Sequence, residues 1–317
     1  MILSVSRRTD IPAFYGKWFM QRLKEQYVLV RNPFNANLVS HIPLSPNHID
    51  AIVFWTKNSK PIHKYLKEID NMGYKYYFQY TITPYKKDME ENLPDKKIII
   101  NAFKELSTLI GKEKVILRYD PIVLTSSYTI DYHIKAFEKL CNHLKDYTNK
   151  IIISFLDYYN NTHKNMQSHN VYNITTDDMH TLAKNFSSIA KRYNLILESC
   201  AEKIDLEKYN INHGKCIDNE LIEKITGAKL KAPKDNQRES CGCIKCIDIG
   251  EYNSCVHNCL YCYANVNKDS AYKNYRLHNP LSPLLIGNID YEKDKIVERN
   301  KFDIKSYKQE TNIEDFI

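Results

Sequence analysis

Six of the chain's nine cysteines, Cys241, Cys243, Cys246, Cys255, Cys259 and Cys262, fall within 22 residues late in a sequence of 317. The segment reads CGCIKCIDIGEYNSCVHNCLYCYANVN. Its second half has the spacing Cys255-x3-Cys259-x2-Cys262, with Tyr261 directly before the last cysteine. Three thiolates on one tight loop can hold three irons of a 4Fe–4S cubane and leave the fourth iron without a protein ligand. The amino and carboxylate groups of S-adenosylmethionine (SAM) can chelate that iron. Reduction of the cluster would then pass an electron to the sulfonium and release a deoxyadenosyl radical. A fourth cysteine would saturate the cluster and leave electron transfer alone.

Zinc is the competing reading. Cys243-x2-Cys246 and Cys259-x2-Cys262 are separated by 12 residues, close to the two knuckles of a zinc ribbon. That assignment leaves Cys241 and Cys255 without roles and gives no reason for the x3 spacing or for Tyr261. Alternatively Cys241, Cys243 and Cys246 bind a second, auxiliary cluster with Cys200 or Cys216 as a fourth ligand, or one of them is a buried thiol. Cys141 falls on an apolar helical face and reads as core. Cys200 sits between Glu198 and Glu202 at a strand end, so a functional position competes with an ordinary buried cysteine. His257, inside the cysteine loop, either supports the ligands or lies exposed.

These groups must be positioned by the first 228 residues, where short apolar runs alternate with helical patterns. Strands are expected at 2–6, 51–56, 76–83, 115–123, 151–156 and 195–199. Ile99, Phe103, Leu106 and Ile110 share a helical face, as do Ile134, Phe137, Cys141 and Leu144, and Met179, Leu182, Phe186 and Ile189. Nearly apolar strands alternating with helices argue for an α/β fold with a helix-covered parallel sheet. No glycine-rich loop follows the first strand, which removes the dinucleotide-binding fingerprint. A complete or partial (β/α) barrel over residues 1–228 is therefore expected. Residues 229–317 read as a cysteine-rich extension over the barrel mouth rather than an independent domain, and the part after Gly287 as a loosely attached tail.

Polar residues gather where the strands run out: Arg7, Arg8, Thr9 and Asp10; Thr56, Lys57 and Asn58; Gln79, Thr81 and Thr83; Arg118 and Asp120; Asp157; Glu198, Cys200 and Glu202. Active sites of α/β barrels lie at these C-terminal ends. Arg118, Asp120, Glu198 and Cys200 are the candidate catalytic residues. Arg7, Arg8 and Asp10 are candidate cofactor contacts, with Arg7, Arg8 and Arg118 able to clasp a SAM carboxylate or a substrate phosphate. The alternative for Arg118 and Asp120 is an ion pair at a strand end.

No apolar run approaches the length of a membrane span, and the first residues lack the sections of a signal peptide. A cytoplasmic chain with reduced thiols is expected, which favours metal over disulfides. The net charge of +7 and pI of about 8.7 suit a phosphate-bearing or nucleic-acid substrate without demanding one. They also sustain an alternative class, a zinc-stabilised nucleic-acid-binding protein using stretches such as Lys229–Lys234. An electron-transfer iron–sulfur protein is the third. A radical enzyme would further need an external electron donor.

The stretches SVSRRTDIPAFYGKWF, YVLVRNPFN, VFWTKN, FQYTITPY, RYDPIVLT, SCAEKID and CGC…DIGEYNSCVHNCLYCYAN together resemble domain-of-unknown-function family 1848, from residue 3 to about Gly287. That family is noted for C-terminal cysteines similar to the N-terminal cluster of radical-SAM proteins. The resemblance implies a radical-SAM-like iron–sulfur protein with Cys255, Cys259 and Cys262 as cluster ligands and Tyr261 near the adenine. Two departures from ordinary radical-SAM enzymes stand out. The cysteine loop follows the last strand rather than the first, and there is no Gly-Gly-Glu element for the SAM amino group. Asp10, Asp120, Asp157, Glu198 or Glu202 would have to serve instead.

Overall fold

The computed structural model describes residues 1–157, 160–235, 241–299 and 305–308, with side chains left aside at 160, 161 and 305–308. In chain order the first elements are β1 (Ile2–Val5), α1 (Ile11–Phe14), α2 (Gly16–Glu25), β2 (Tyr27–Asn32), β3 (Asn35–Pro43) and β4 (Ala51–Thr56). Then come α3 (His63–Asn71), β5 (Tyr76–Thr81), α4 (Lys96–Ile110), β6 (Val115–Ile122), α5 (Ile130–Leu144), β7 (Lys150–Phe155) and α6 (Asn160–Asn165). The last are α7 (Thr176–Arg192), β8 (Ile196–Ser199), β9 (Asn212–His213), α8 (Asn219–Thr226), β10 (Ala228–Lys231), β11 (Ile247–Asp248), α9 (Lys268–Arg276), β12 (Lys295–Glu298) and β13 (Lys305–Lys308).

Eight strands form one parallel sheet in the order β11-β1-β4-β5-β6-β7-β8-β9. The order follows the chain without reversal, and the late strand β11 returns to lie beside β1. The six expected strands are all present within a residue or two, and the three expected helices are α4, α5 and α7.

Because side chains alternate across a strand, the sheet has two faces. Leu3, Phe54, Phe78, Tyr119, Ile153 and Leu197 point to the helices and join the main core with Phe103, Phe137 and Phe186. Phe54 stacks on Phe78 at 4.6 Å and Phe137 on Phe186 at 4.0 Å. Each such buried ring contributes on the order of 2–3 kcal/mol. Ile2, Val53, Tyr77, Ile116 and Ile152 line the opposite face. That face is covered by Cys216, Ile217 and Cys243, together with Ile222 of α8.

α7 opens on a capping box, in which the Thr175 side chain accepts from Asp178 N–H and the Asp178 side chain from Thr175 N–H. Cys141 is fully buried in the main core. The charged stretch that opens the extension contains β10, and one expectation for the C-terminal part is corrected. The segment after Gly287, read as a loose tail, is tied down: β12 pairs parallel with β3, and β13 antiparallel with β10. Arg31 also clamps Asp294 at 2.6 Å. Both pairings give strand hydrogen bonds to backbone groups that a free tail would leave to water. Residues 236–240 of the extension and 300–304 and 309–317 of the tail lie outside the described residues. Among the described residues no helix is long and apolar enough to cross a membrane.

Candidate functional site

The loop carrying Cys255, Cys259 and Cys262 joins β11 to α9 and lies over the C-terminal ends of β1, β4 and β5. Its backbone turns sharply at Asn253 and Asn258, both left-handed at φ 54°, a conformation that asparagine tolerates better than most residues. Neighbouring segments then pin it. The Tyr15 hydroxyl donates to the Ser254 carbonyl at 2.5 Å. Leu260 N–H donates to Met89 O at 3.0 Å, Asn92 N–H to His257 O at 3.1 Å, and the Asn92 side chain to Val256 O at 2.9 Å.

Asp10 is the hub beneath the loop. Its Oδ1 accepts from Ala13 N–H at 3.0 Å and the Thr56 hydroxyl at 2.8 Å; its Oδ2 accepts from Lys57 N–H at 2.7 Å and faces His257 Nε2 at 2.8 Å. Asp10 thus fastens the ends of β1 and β4 to the cysteine loop, and its acceptors are occupied by protein. Arg8 is likewise engaged, with Gly250 O at 3.3 Å and Asp248 at 3.6 Å.

A buried charge cluster adjoins the thiols. Lys57 Nζ lies 2.8 Å from Glu90 Oε1, and Lys96 also pairs with Glu90. The Thr83 hydroxyl donates to Glu90 at 2.6 Å, and so does the Tyr261 hydroxyl. Burial alone would raise the Glu90 carboxyl, but Lys57 and Lys96 hold it down at about 2. Tyr261, expected near an adenine, has its ring against Tyr85 at 5.3 Å and its hydroxyl on Glu90.

Burial pushes the Cys255, Cys259 and Cys262 thiols up. Each nevertheless has groups that favour a thiolate. The backbone N–H of His257 points at Cys255, those of Ala264 and Asn265 at Cys262, and the Lys57 ammonium acts on Cys259 and Cys262. A metal ion would complete the deprotonation, since coordinated thiols are thiolates.

Five of the remaining six cysteines form a separate array on the face of the sheet opposite the main core. Cys200 and Cys216 have their sulfurs 3.1 Å apart. Arg118 Nη1 donates to Cys216 Sγ at 2.7 Å, while its Nε donates to Asp120 at 3.0 Å. Arg118 and Asp120 therefore form the ion pair given above as the alternative, with a thiol on the guanidinium's far side. Cys243 Sγ accepts from the backbone N–H groups of Cys216 and Ile217 at 3.2 and 3.4 Å. Cys241 lies against Cys243, whose hydrogen bond lowers its thiol to about 7, against rises at the other eight cysteines. Arg7 Nη2 reaches Cys246 Sγ at 3.4 Å. Arg7 and Arg118 both lie over the Trp55 ring, at 5.4 and 5.3 Å.

Glu198 stands apart from these sulfurs, paired with Lys150 at 2.8 Å. Glu202 accepts from Phe155 N–H at 2.9 Å, and burial, with Asp157 and Asp120 nearby, raises it to about 8. The two CxxC pairs of the zinc-ribbon reading fall in different arrays. Among the described residues, no three or more His, Cys, Asp or Glu side chains are so placed that they could hold a metal ion. A tetrahedral zinc needs sulfurs converging to about 3.8 Å from one another at bonds of about 2.3 Å. A cubane carries its thiolates on separate irons and spreads them more widely.

Glu90 and Lys96 were missed by sequence reasoning. They sit in a loop and at a helix start with no periodic signal, and only the fold brings them to the cysteine loop.

The family model described as "Domain of unknown function (DUF1848)" matches residues 2–264. No curated protein matches the chain. Among solved structures, one named as an alpha-L-fucosidase from Bacteroides thetaiotaomicron VPI-5482 is similar at 11% identity. The match covers 72% of this chain and 84% of that one, with a TM-score of 0.27. So low a score carries no inference about fold or activity.

Proposed function

The chain belongs to the DUF1848 family, and from that premise we propose that it is a radical-SAM-like iron–sulfur enzyme. Cys255, Cys259 and Cys262 would hold the irons of a 4Fe–4S cluster. The observation that carries this reading is the loop's environment: three half-buried thiols with backbone N–H groups aimed at two of the sulfurs and an ammonium beside them. The chain's other six cysteines lie elsewhere, so the loop offers three thiolates and leaves one iron open. Once reduced by an external donor, a cluster of this kind supplies one electron to the sulfonium of SAM bound at that iron.

The remaining work falls to the chain's own groups. Asp10, through His257 and Lys57 N–H, holds the loop to the strand ends. Glu90, Lys57 and Tyr261 keep water from its inner side. With the carboxyls of Asp10, Asp120 and Glu198 engaged by protein partners, Glu202 is the carboxyl best suited to receive the SAM amino group. Its proton is held by burial and then by the neighbouring Asp157 and Asp120, and a bound ammonium would displace it. The substrate is a separate molecule admitted at the same strand ends.

The sheet order supports a (β/α) barrel left open between β9 and β11, with residues 229–317 as the extension that supplies β11 and the cysteine loop. Replacing Cys259 with Ala tests the assignment. The variant should lose iron and the ability to cleave SAM; iron kept at full stoichiometry would defeat it.

A further inference from the structure

The geometry points to a thiol–disulfide exchange relay through Cys241, Cys243, Cys216 and Cys200, which takes a low-molecular-weight disulfide at Cys241 and ends as a Cys200–Cys216 disulfide. It uses none of the loop cysteines. The four come from the end of β8, the β9–α8 connection and the segment before β11. Their contacts form an unbroken chain. Cys200 meets Cys216 at 3.1 Å, Cys216 meets Cys243, and Cys243 meets Cys241. Sulfurs already in contact need close by only about 1 Å to bond. Cys246 faces Arg7 instead, which sets it outside the four.

The two ends of the chain, Cys241 and Cys200, are half-exposed, and the two middle members are buried. The thiolate is the attacking form. At Cys241 the hydrogen bond from Cys243 lowers the thiol to about 7. At Cys200 the hydrogen bond from Cys216, and then burial, push it up. An outside disulfide therefore meets its nucleophile at Cys241. Inside, Arg118 directs Nη1 at Cys216 at 2.7 Å, and two backbone N–H groups converge on Cys243. These donors stabilise each interior thiolate as it attacks or leaves. Glycine at 242 lets the Cys241–Cys243 turn lie against the segment that carries Cys216. A Cβ there would come within 3.0 Å of the Lys215 side chain and 3.3 Å of Gly214 O.

Each step exchanges one sulfur–sulfur bond for another. The Cys241 thiolate attacks the outside disulfide RSSR, forming Cys241–SR and releasing RS⁻. Cys243 attacks the Cys241 sulfur and expels the second RS⁻. Cys216 then attacks Cys243 and frees Cys241, and Cys200 attacks Cys216 and frees Cys243. The outside disulfide is reduced to two RSH, with protons from Cys200 and Cys216, and those two cysteines are oxidised to one disulfide. An excess of RSH drives the same steps backwards.

Glutathione disulfide, added anaerobically to the purified full-length chain, is the probe, with thiols alkylated at timed intervals and mapped by mass spectrometry. The expected product is a Cys200–Cys216 disulfide, with about two reduced glutathiones released per chain and full reversal by dithiothreitol. Cys241→Ser should reach the same product at least about tenfold more slowly. Cys200→Ser should stop one exchange earlier, at a Cys216–Cys243 disulfide. Cys246→Ser should keep the rate of the unaltered chain. Cys200 and Cys216 both recovered as thiols while glutathione disulfide is consumed would overturn the relay, as would an unchanged rate in Cys241→Ser. Equal slowing in Cys246→Ser would also overturn it, by placing the effect in the fold rather than the sulfur path. The loop cluster is counted separately, as iron and acid-labile sulfide, and its presence or absence leaves these outcomes distinct.

Discussion

The two cysteine arrays are built in opposite ways. The loop array is contiguous: three thiols in eight residues, shaped by two left-handed asparagines and held from outside by Asp10, Glu90 and Asn92. The interior array draws on three segments between residues 200 and 246, and its sulfurs receive donors from a buried arginine and from main chain. A contiguous loop can present an open iron at a surface where small molecules arrive. The interior array packs against Tyr77, Ile116 and Ile152, and two of its sulfurs, Cys200 and Cys216, touch at 3.1 Å.

The strongest way to break this contrast is Glu90→Gln. It leaves Lys57 and Lys96 without their shared carboxylate, which should cost about 3–5 kcal/mol in chemical denaturation. Hydrogen exchange should quicken at Leu260 and Asn92 and stay unchanged at Cys216 and Ile217. Equal loss of protection at both places would mean that the arrays are one unit.

The converse variant, Arg118→Met, should cost about 1.5–3 kcal/mol through the lost charged hydrogen bonds to Asp120 and leave exchange in the loop unaffected. His257→Ala removes one of four partners of Asp10. It should cost about 1 kcal/mol and speed exchange in the loop alone.

The pH profile sharpens the contrast further. Glu90 contributes stability that is complete above its ordinary 4.5 and is lost as pH falls toward about 2. Glu202 works in reverse. Between 4.5 and about 8 the native chain holds its proton and the unfolded chain does not, so its contribution declines as pH rises through that window. Glu202→Gln should flatten the stability profile there, as read from thermal unfolding between pH 5 and 8; an unchanged slope would remove Glu202 from the charged surroundings of the site.

What could be read from sequence follows the same division. Apolar runs rich in β-branched residues placed β1, β4, β5, β6, β7 and β8, and the CxxxCxxC spacing singled out the loop, because both are local patterns. β9 and β11 have two residues each, too few to show a period. The hairpin of β2 and β3 carries mixed polarity because its exposed half faces water. Glu90 gave no signal, since a loop acid acquires meaning only when Lys57 and Lys96 are folded against it. Arg118 and Asp120 were legible as a strand-end pair, but the sulfur beyond them was not, as Cys216 lies 98 residues later. Cys200 and Cys216 were read as alternative fourth ligands; the fold brings them into contact with each other.

The central claim is that the loop carries a cluster with one iron open to SAM. The most direct test is the electron paramagnetic resonance spectrum of the anaerobically purified, reduced protein before and after SAM is added. The account predicts a cluster signal that changes on adding SAM and is missing from Cys259→Ala. A signal that SAM leaves unchanged, or one that persists in Cys259→Ala with the same response, would contradict it.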